Sequence, residues 1–438
     1  FRSVIESLKY KILQQFGFAP TQEQGQALDT FVSFLTDRDP QAVMILRGSA
    51  GTGKTSLSGA IVRTLLQIRQ KVMLLAPTGR AAKVFSLGSG APAYTIHRRI
   101  YREKAFAGVD GQFSLNDNLY TDTLFMVDEA SMIANMGLGG TTFGSGCLLD
   151  DLVKFVYQGH NDRLLLIGDK AQLPPVGEEE SPALSASVME GYGLKVYECD
   201  LNEVLRQSQS SGILYNATLI RQMITHDAVT GLPLIRFKGF ADIVMMPGAE
   251  LVESLGDSYH HVGMDETMVI TRSNKRANIY NNGIRNMVLD REEELSSGDM
   301  LMIVKNNYFW TEKEKKESGE GSAGAVPVFL ANGDRAKVLR VSNYIELYGF
   351  RFATLLLQLP DYDDYEMQVT GMLDTLQSEA PALTHEQQEE LFRQVEEDYQ
   401  HFVPLKADRM KSIRQDAYFN ALQIKYAYAV TCHKAQGG

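Results

Sequence analysis

Short apolar runs and helix-period segments alternate along the first 290 or so residues. Ala42–Leu46, Val72–Ala76, Thr123–Val127 and Leu164–Ile167 are compact apolar runs flanked by Gly, Pro or charge, the pattern of buried strands. Helical segments lie between them; in the clearest, Leu57, Ala60, Ile61, Thr64, Leu65 and Ile68 share one face. This alternation predicts βαβ units around a parallel sheet. A second set opens with a strand at Thr267–Thr271 and a helix at Lys275–Met287.

The pattern changes near Gly298. From there to about Asn420 the runs Met300–Val304, Val326–Leu330, Ala336–Val341 and Phe352–Leu359 predict a small β-barrel. Glu312–Gly324 reads as a charged, Gly-rich loop and His385–His401 as an acidic helix. Tyr426–Thr431 returns to the parallel-sheet type, so the β-rich block is expected to be an insertion within a second α/β domain. No short internal repeat is present. The expected division is 1–208 for a first domain with a small insertion at about 97–122, then 209–298 and 421–438 for the second, with 299–420 inserted.

Composition narrows the class. A chain of 438 residues, 44% hydrophobic and 22% charged, suits a soluble protein of two or three domains. No apolar run reaches the length of a membrane span, and the opening residues lack the apolar core of a signal peptide. The missing initiator Met is read as trimming. Cys147, Cys199 and Cys432 are odd in number and never spaced C-x-x-C, as expected of free thiols in a reducing compartment. That compartment is the bacterial cytoplasm or, in a eukaryote, the nucleus or mitochondrion. The net charge of −11 is unhelpful for a nucleic-acid binder, but charge is unevenly distributed. Between Val62 and Lys104 stand Arg63, Arg69, Lys71, Arg80, Lys83, Arg98, Arg99, Arg102 and Lys104 against one acid, Glu103.

The strand Val43–Leu46 runs into Gly48-Ser-Ala-Gly51-Thr-Gly53-Lys54-Thr55 and then into a helix. This is G-x-x-x-x-G-K-[ST] in the setting its mechanism needs. Glycines let the backbone wrap a β-phosphate, and consecutive N–H groups and the helix N-terminus supply positive potential. Lys54 adds a point charge between β- and γ-phosphates, and Thr55 offers a hydroxyl to Mg²⁺. The strand Leu124–Val127 ends in Asp128-Glu129. Asp128 would hold Mg²⁺, partly through water, and Glu129 would orient and deprotonate the attacking water. These residues point to hydrolysis of a nucleoside triphosphate.

After the strand Leu164–Ile167 comes Gly168-Asp169-Lys170-Ala171-Gln172-Leu173-Pro174-Pro175. Following Asp128-Glu-Ala-Ser131, this motif closely resembles superfamily-one helicases of the branch holding the Pif and RecD-like families, and the resemblance runs from about Phe18 to Gly438. It implies two RecA-like parallel-sheet domains with ATP and Mg²⁺ in the cleft, a β-rich insert in the second domain and a small insert in the first. It also implies 5′-to-3′ movement on single-stranded DNA with opening of duplex junctions. Service in repair, recombination or telomere maintenance, with a monomer as the minimal unit, follows in the same way. Gln24 then corresponds to an adenine-reading glutamine, Gln172 to a γ-phosphate sensor and Arg206 to an arginine that reaches the γ-phosphate. Pro77, Thr78, His97, Arg98, Thr431, His433 and Lys434 correspond to contacts with the DNA strand, and Gln436 and Gly437 face the nucleotide. Tyr94, Tyr101, Phe106 and Phe113 either stack on bases in a duplex-splitting pin or pack a minor core, and Trp310 carries the same alternative. The Gly-rich stretch from Gly137 to Gly146 is expected to be a flexible loop near the track, and Thr271-Arg-Ser-Asn274 a further phosphate contact. Pro-Pro after Gln-Leu leans toward Pif. Helicases of this branch continue past Lys434-Ala-Gln with a motif bearing another arginine, so a longer chain is expected. An RNA-directed helicase, a P-loop switch that tracks no strand and a scaffold with a dead nucleotide site are the alternatives.

Overall fold

The computed structural model describes residues 2–106, 111–135, 144–205, 209–226, 231–319, 326–327 and 329–436. The chain separates into two compact units, one holding most residues up to Met245 and the other most residues from Met246 onward.

The first unit is a six-stranded sheet with order β3-β2-β6-β7-β1-β8, parallel throughout. Its strands are β1 (Ala42–Gly48), β2 (Lys71–Ala76), β3 (Ala93–Thr95), β6 (Thr123–Val127), β7 (Arg163–Gly168) and β8 (Lys195–Leu201). β4 (Tyr101–Phe106) and β5 (Gly111–Leu115) form a separate pair that interrupts the connection from β3 to β6. Helices α1 (Arg2–Phe16), α2 (Gln22–Leu35), α3 (Lys54–Gln67), α4 (Gly79–Ser89), α5 (Ile96–Ile100), α6 (Leu148–Gln158), α7 (Ala186–Gly191) and α8 (Gly212–Thr225) complete the unit. β1, β6 and β7 are buried at every position, which is why they are apolar runs rather than alternating ones. One core packs α1, α2 and α3 on one face; the other packs α5, α6 and the segment around Leu184.

The second unit carries the predicted insertion. β9 (Val269–Thr271) pairs in parallel with β15 (Ala429–Thr431), and between them in sequence lies a closed barrel. Its strands are β10 (Met300–Ile303), β11 (Arg335–Leu347), β12 (Phe350–Leu359), β13 (Tyr365–Met372) and β14 (Leu422–Tyr426). Helices α9 (Leu251–His261), α10 (Asn274–Gly283), α11 (Phe309–Ser318), α12 (His385–Gln400), α13 (Lys406–Arg414) and α14 (Cys432–Ala435) belong to this unit. Among the described residues no helix is long and apolar enough to cross a membrane.

Four expectations need correction. Part of Glu312–Gly324 is helix, since α11 extends to Ser318. Tyr426–Thr431 is not one strand: Tyr426 closes the barrel, and a new strand starts at Ala429. The barrel therefore runs past residue 420. α8, expected in the second domain, packs with the first. Among the described residues of 326–330, Leu330 makes an isolated bridge to Asn307, although Val326, Phe329 and Leu330 are buried.

Candidate functional site

The phosphate loop leaves β1 and enters α3. Gly51 and Gly53 have φ of +77° and +81°, a region a side chain would strain. A Cβ at Gly53 would also meet Gln24 Nε2 at 2.4 Å. The loop is braced from within: Thr52 Oγ1 donates to the Ser49 carbonyl at 2.7 Å and Lys54 Nζ to the Gly48 carbonyl at 3.2 Å. Thr55 is exposed at the loop, with its hydroxyl available.

Asp128 and Glu129 follow β6. The Asp128 N–H bonds the Leu75 carbonyl at 3.0 Å, and the Glu129 N–H donates to Asp128 Oδ1 at 2.8 Å. Glu129 has φ of +53°. Burial raises the pKa of both carboxyls, and the Lys54 charge works against that shift at each, so the lysine acts on both. Asp128 raises Glu129 further. Glu129 Oε2 is buried and has no hydrogen-bond partner among the described residues. An orphaned buried carboxylate oxygen costs free energy unless a ligand or water completes it. The donor set fits Mg²⁺, which keeps several waters and binds one or two protein oxygens beside phosphates. Thr55 and Asp128 would supply those oxygens. Among the described residues no cluster of three His, Cys, Asp or Glu side chains could cage a metal by itself.

Gln172 joins this site through Ser131, whose Oγ donates to Gln172 Oε1 at 3.0 Å. The Ser131 carbonyl in turn accepts from Ser181 Oγ at 3.1 Å. Gln24 is fully buried. Its Oε1 accepts from the Thr21 N–H at 3.0 Å, and its Nε2 donates to the Thr52 carbonyl at 2.9 Å. The amide thus closes a capping box on α2 and pins the phosphate loop. Arg206 and Gly437 lie outside the described residues, as do residues 137–143 of the Gly-rich stretch. The Leu205 N–H, one residue before Arg206, donates to the Gly51 carbonyl at 2.9 Å.

The other candidates sit as follows. Pro77 and Thr78 stand between the C-terminal end of β2 and α4. His97 and Arg98 are on α5, capped by Thr95 Oγ1, which accepts from the Arg98 N–H at 3.3 Å. Burial lowers the His97 pKa to about 4, so its ring is neutral near pH 7. The Arg99 guanidinium lies 3.7 Å from the Tyr94 ring centroid and that of Arg98 5.3 Å. Tyr101 is a core residue whose hydroxyl donates to buried Asp151 at 2.6 Å, and Phe113 packs against the same core. The Phe106 side chain lies outside the described residues. Trp310 is buried, and its Nε1 donates to the Asn420 carbonyl at 2.8 Å, so it too is core. Thr431 ends β15, and His433 and Lys434 lie on α14, followed by Gln436. Lys434 Nζ donates to Asn332 Oδ1, and burial lowers its pKa to about 8. Ser273 caps α10, its Oγ accepting from the Arg276 N–H at 3.2 Å.

A phosphate loop at the end of the interior parallel strand β1, with two acids following β6 on the far side of β7, defines a P-loop nucleoside-triphosphatase domain. Residues 19–231 match the family model described as an AAA domain. The chain is 33% identical over 168 residues to an uncharacterised protein of Methanocaldococcus jannaschii, covering 36% of this chain and 13% of that protein. It is 30% identical over 157 residues to the ATP-dependent RecD2 DNA helicase of Deinococcus radiodurans, covering 36% of this chain and 18% of the relative. It is 25% identical over 267 residues to the ATP-dependent DNA helicase dda of Enterobacteria phage T4, covering 59% and 55%. A likeness to the Pif1 helicase from Bacteroides, solved with ADP-AlF3 and single-stranded DNA, covers 96% of this chain and 84% of that one at 13% identity and a TM-score of 0.42. The chain therefore spans at most about half the length of these curated relatives. The two relatives of named activity are both ATP-dependent DNA helicases.

Ser131, Asp169 and Arg221 are site residues that the sequence motifs assign no role. Ser131 and Asp169 stand inside motifs already noticed, where a polar residue beside a strand end was the available signal. For Arg221 there was none.

Proposed function

We propose that this chain is the motor of an ATP-dependent DNA helicase that moves 5′ to 3′ on single-stranded DNA and opens duplex ahead of it. The observation that carries the reading is the half-buried Glu129 carboxylate, whose buried Oε2 has no partner among the described residues, next to Asp128 and within the field of Lys54. A carboxylate kept in that state is poised to take a proton from water near a bound γ-phosphate. Lys54 and the loop N–H groups bind the phosphates, with Thr55 and Asp128 as the Mg²⁺ side. The ion, when bound, neutralises charge on the phosphate oxygens. Gln172 reports the γ-phosphate to the strand-binding side, and Arg206 adds a fixed positive charge where the transition state needs it. Gln24 reads adenine in the resemblance; its amide also holds the loop that grips the phosphates.

Pro77, Thr78, His97 and Arg98 form one grip on the DNA strand and Thr431, His433 and Lys434 the other. The basic stretch before Lys104 supports the first, where phosphate contacts dominate affinity. A monomer acting at duplex junctions, in repair, recombination or telomere maintenance, is the corresponding biological role.

The test is hydrolysis with and without single-stranded DNA or RNA, followed by unwinding of a partial duplex with one tail. The expected result is strong stimulation by DNA, falling as salt rises, and displacement from the 5′-tailed substrate. Stimulation by RNA in preference to DNA would make this an RNA motor, through recognition of the 2′-hydroxyl. Hydrolysis indifferent to both would leave a switch that tracks no strand.

A further inference from the structure

Beside the phosphate loop, α8 lines a cavity of about 280 Å³ together with Ser49, Asp169, Gln172 and Arg221. α8 is firmly set there. Asp242 accepts from the Ser211 hydroxyl at 2.6 Å and from the Gly212 N–H at 2.7 Å, so the helix start is fixed. Leu214 lies so near the loop that a Cβ at Gly51 would come within 2.6 Å of its Cδ2. Asn216 exchanges two bonds with the backbone of Arg236, at 2.8 and 2.9 Å, tying the helix to the segment that follows it.

From this helix Arg221 Nη1 donates to Asp169 Oδ1. Both side chains are largely withdrawn from solvent, at 16% and 12% exposure, which shields the pair from screening. The same Asp169 oxygen accepts from the Ala171 N–H at 2.9 Å, and the Asp169 carbonyl accepts from the Gln172 N–H at 3.2 Å. Asp169 therefore shapes the turn that presents Gln172. Gln172 accepts in turn from Ser131, two residues beyond Glu129. A chain of hydrogen bonds thus leads from α8 to Ser131, which stands two residues after Glu129 in sequence.

We infer that Arg221 is a positioning residue for Gln172: through Asp169 it holds the turn in the geometry in which Gln172 meets Ser131 and the γ-phosphate. The inference rests on the hydrolytic reading above and adds a specific link to it. Arg221 acts on Gln172 through its bond to Asp169. A guanidinium suits this role, since its fork is rigid and always charged.

The experiment is a double-mutant cycle on the intact protein, with ATP turnover measured at saturating single-stranded DNA. Arg221→Ala is expected to lower kcat by about ten- to hundred-fold, the range for a small misplacement near the chemistry, while KM for ATP stays within about two-fold. Arg221→Ala/Gln172→Ala is expected to be no slower than Gln172→Ala alone, because the two act in series. Asp169→Asn keeps an acceptor for the Ala171 N–H and removes the charge, so it should match Arg221→Ala. Thermal unfolding of each variant guards against simple misfolding, and Asp169→Asn provides the second route if Arg221→Ala does not fold. Effects of Arg221→Ala and Gln172→Ala that multiply would overturn the inference alone. A wild-type protein whose hydrolysis ignores DNA would remove the functional reading, and this inference with it.

Discussion

Glu129 and Asp299 are both carboxylates withdrawn from water, one in each compact unit, and the protein treats them in opposite ways. Asp299 is fully buried and accepts from Arg285 Nε and Nη2 at 3.1 and 3.0 Å, Arg291 Nη1 at 2.7 Å, the Tyr428 hydroxyl at 2.5 Å and the Ser296 N–H at 2.7 Å. Burial works against its ionisation, yet the bonds from Arg285 and Tyr428 hold its carboxyl below the ordinary range. Glu129 has burial, a neighbouring acid and an unpartnered oxygen, and its pKa moves the other way. A fully satisfied carboxylate stabilises a fold, whereas an unsatisfied one stores reactivity at a cost in stability. The contrast separates scaffold from chemistry within one chain.

Exchanging the charge at each position sharpens the contrast. Glu129→Gln should lower DNA-stimulated hydrolysis by about 10²–10⁴-fold, the worth of a positioned general base. Its melting temperature should stay level or rise, because a half-buried carboxylate with an unsatisfied oxygen is gone. A variant that hydrolyses normally would take the base role from Glu129. In wild-type protein the raised pKa means that activity is present at higher pH and lost on acidification above the ordinary carboxylate range.

Asp299→Ala should behave in the reverse manner, destabilising by about 3–5 kcal/mol in denaturant titrations because buried Arg285 and half-buried Arg291 lose their partner. The sign with pH follows from its depressed pKa: the stabilisation is full above the unfolded-state value and disappears as pH falls through the lower folded value. A loss below about 1 kcal/mol would mean that water replaces the carboxylate easily.

The smallest effect concerns Lys434, a half-buried cation with intermediate support. Its pKa is lowered to about 8 by burial, with Asp334 acting in the other direction. The charge is present below that value and lost above it. Single-strand affinity should therefore weaken between pH 7 and 9, with the salt slope falling by about one. Lys434→Arg, always charged, should flatten the pH dependence. An unchanged pH profile in that variant would place the titrating group elsewhere.

Much of this was legible in order of burial and contiguity. β1, β6 and β7 are covered on both faces, so their identity is written as apolar runs. β8, Lys-Val-Tyr-Glu-Cys-Asp-Leu, escaped notice because it is an edge strand that presents Glu198 and Asp200 to Arg47 of β1. Glu312–Ser318, the part of α11 expected as loop, has no apolar stripe: in this helix only Trp310 and Thr311 are buried and the rest is largely solvated charge. The phosphate loop and the Asp-Glu pair could be read because each is a local string with its own chemistry. The links Ser131–Gln172 and Arg221–Asp169 join residues 41 and 52 positions apart, and only the packed sheet brings them together. Tyr101 and Trp310 were ambiguous for a related reason: an aromatic ring carries no mark of whether it meets a base or a core.

The interruption of the two-stranded sheet by the barrel bears on how the protein is made. Thr271 and Val430, joined through the threonine hydroxyl, stand 159 residues apart. At ribosomal speeds of about 5–20 residues per second, β9 waits on the order of ten to thirty seconds for its partner to be synthesised. The barrel strands nearest the junctions, at Leu301 and Tyr426, pair with one another. Closing the barrel therefore brings the two halves of the interrupted sheet side by side, and the insert serves as the clasp that lets the older strand find the newer one.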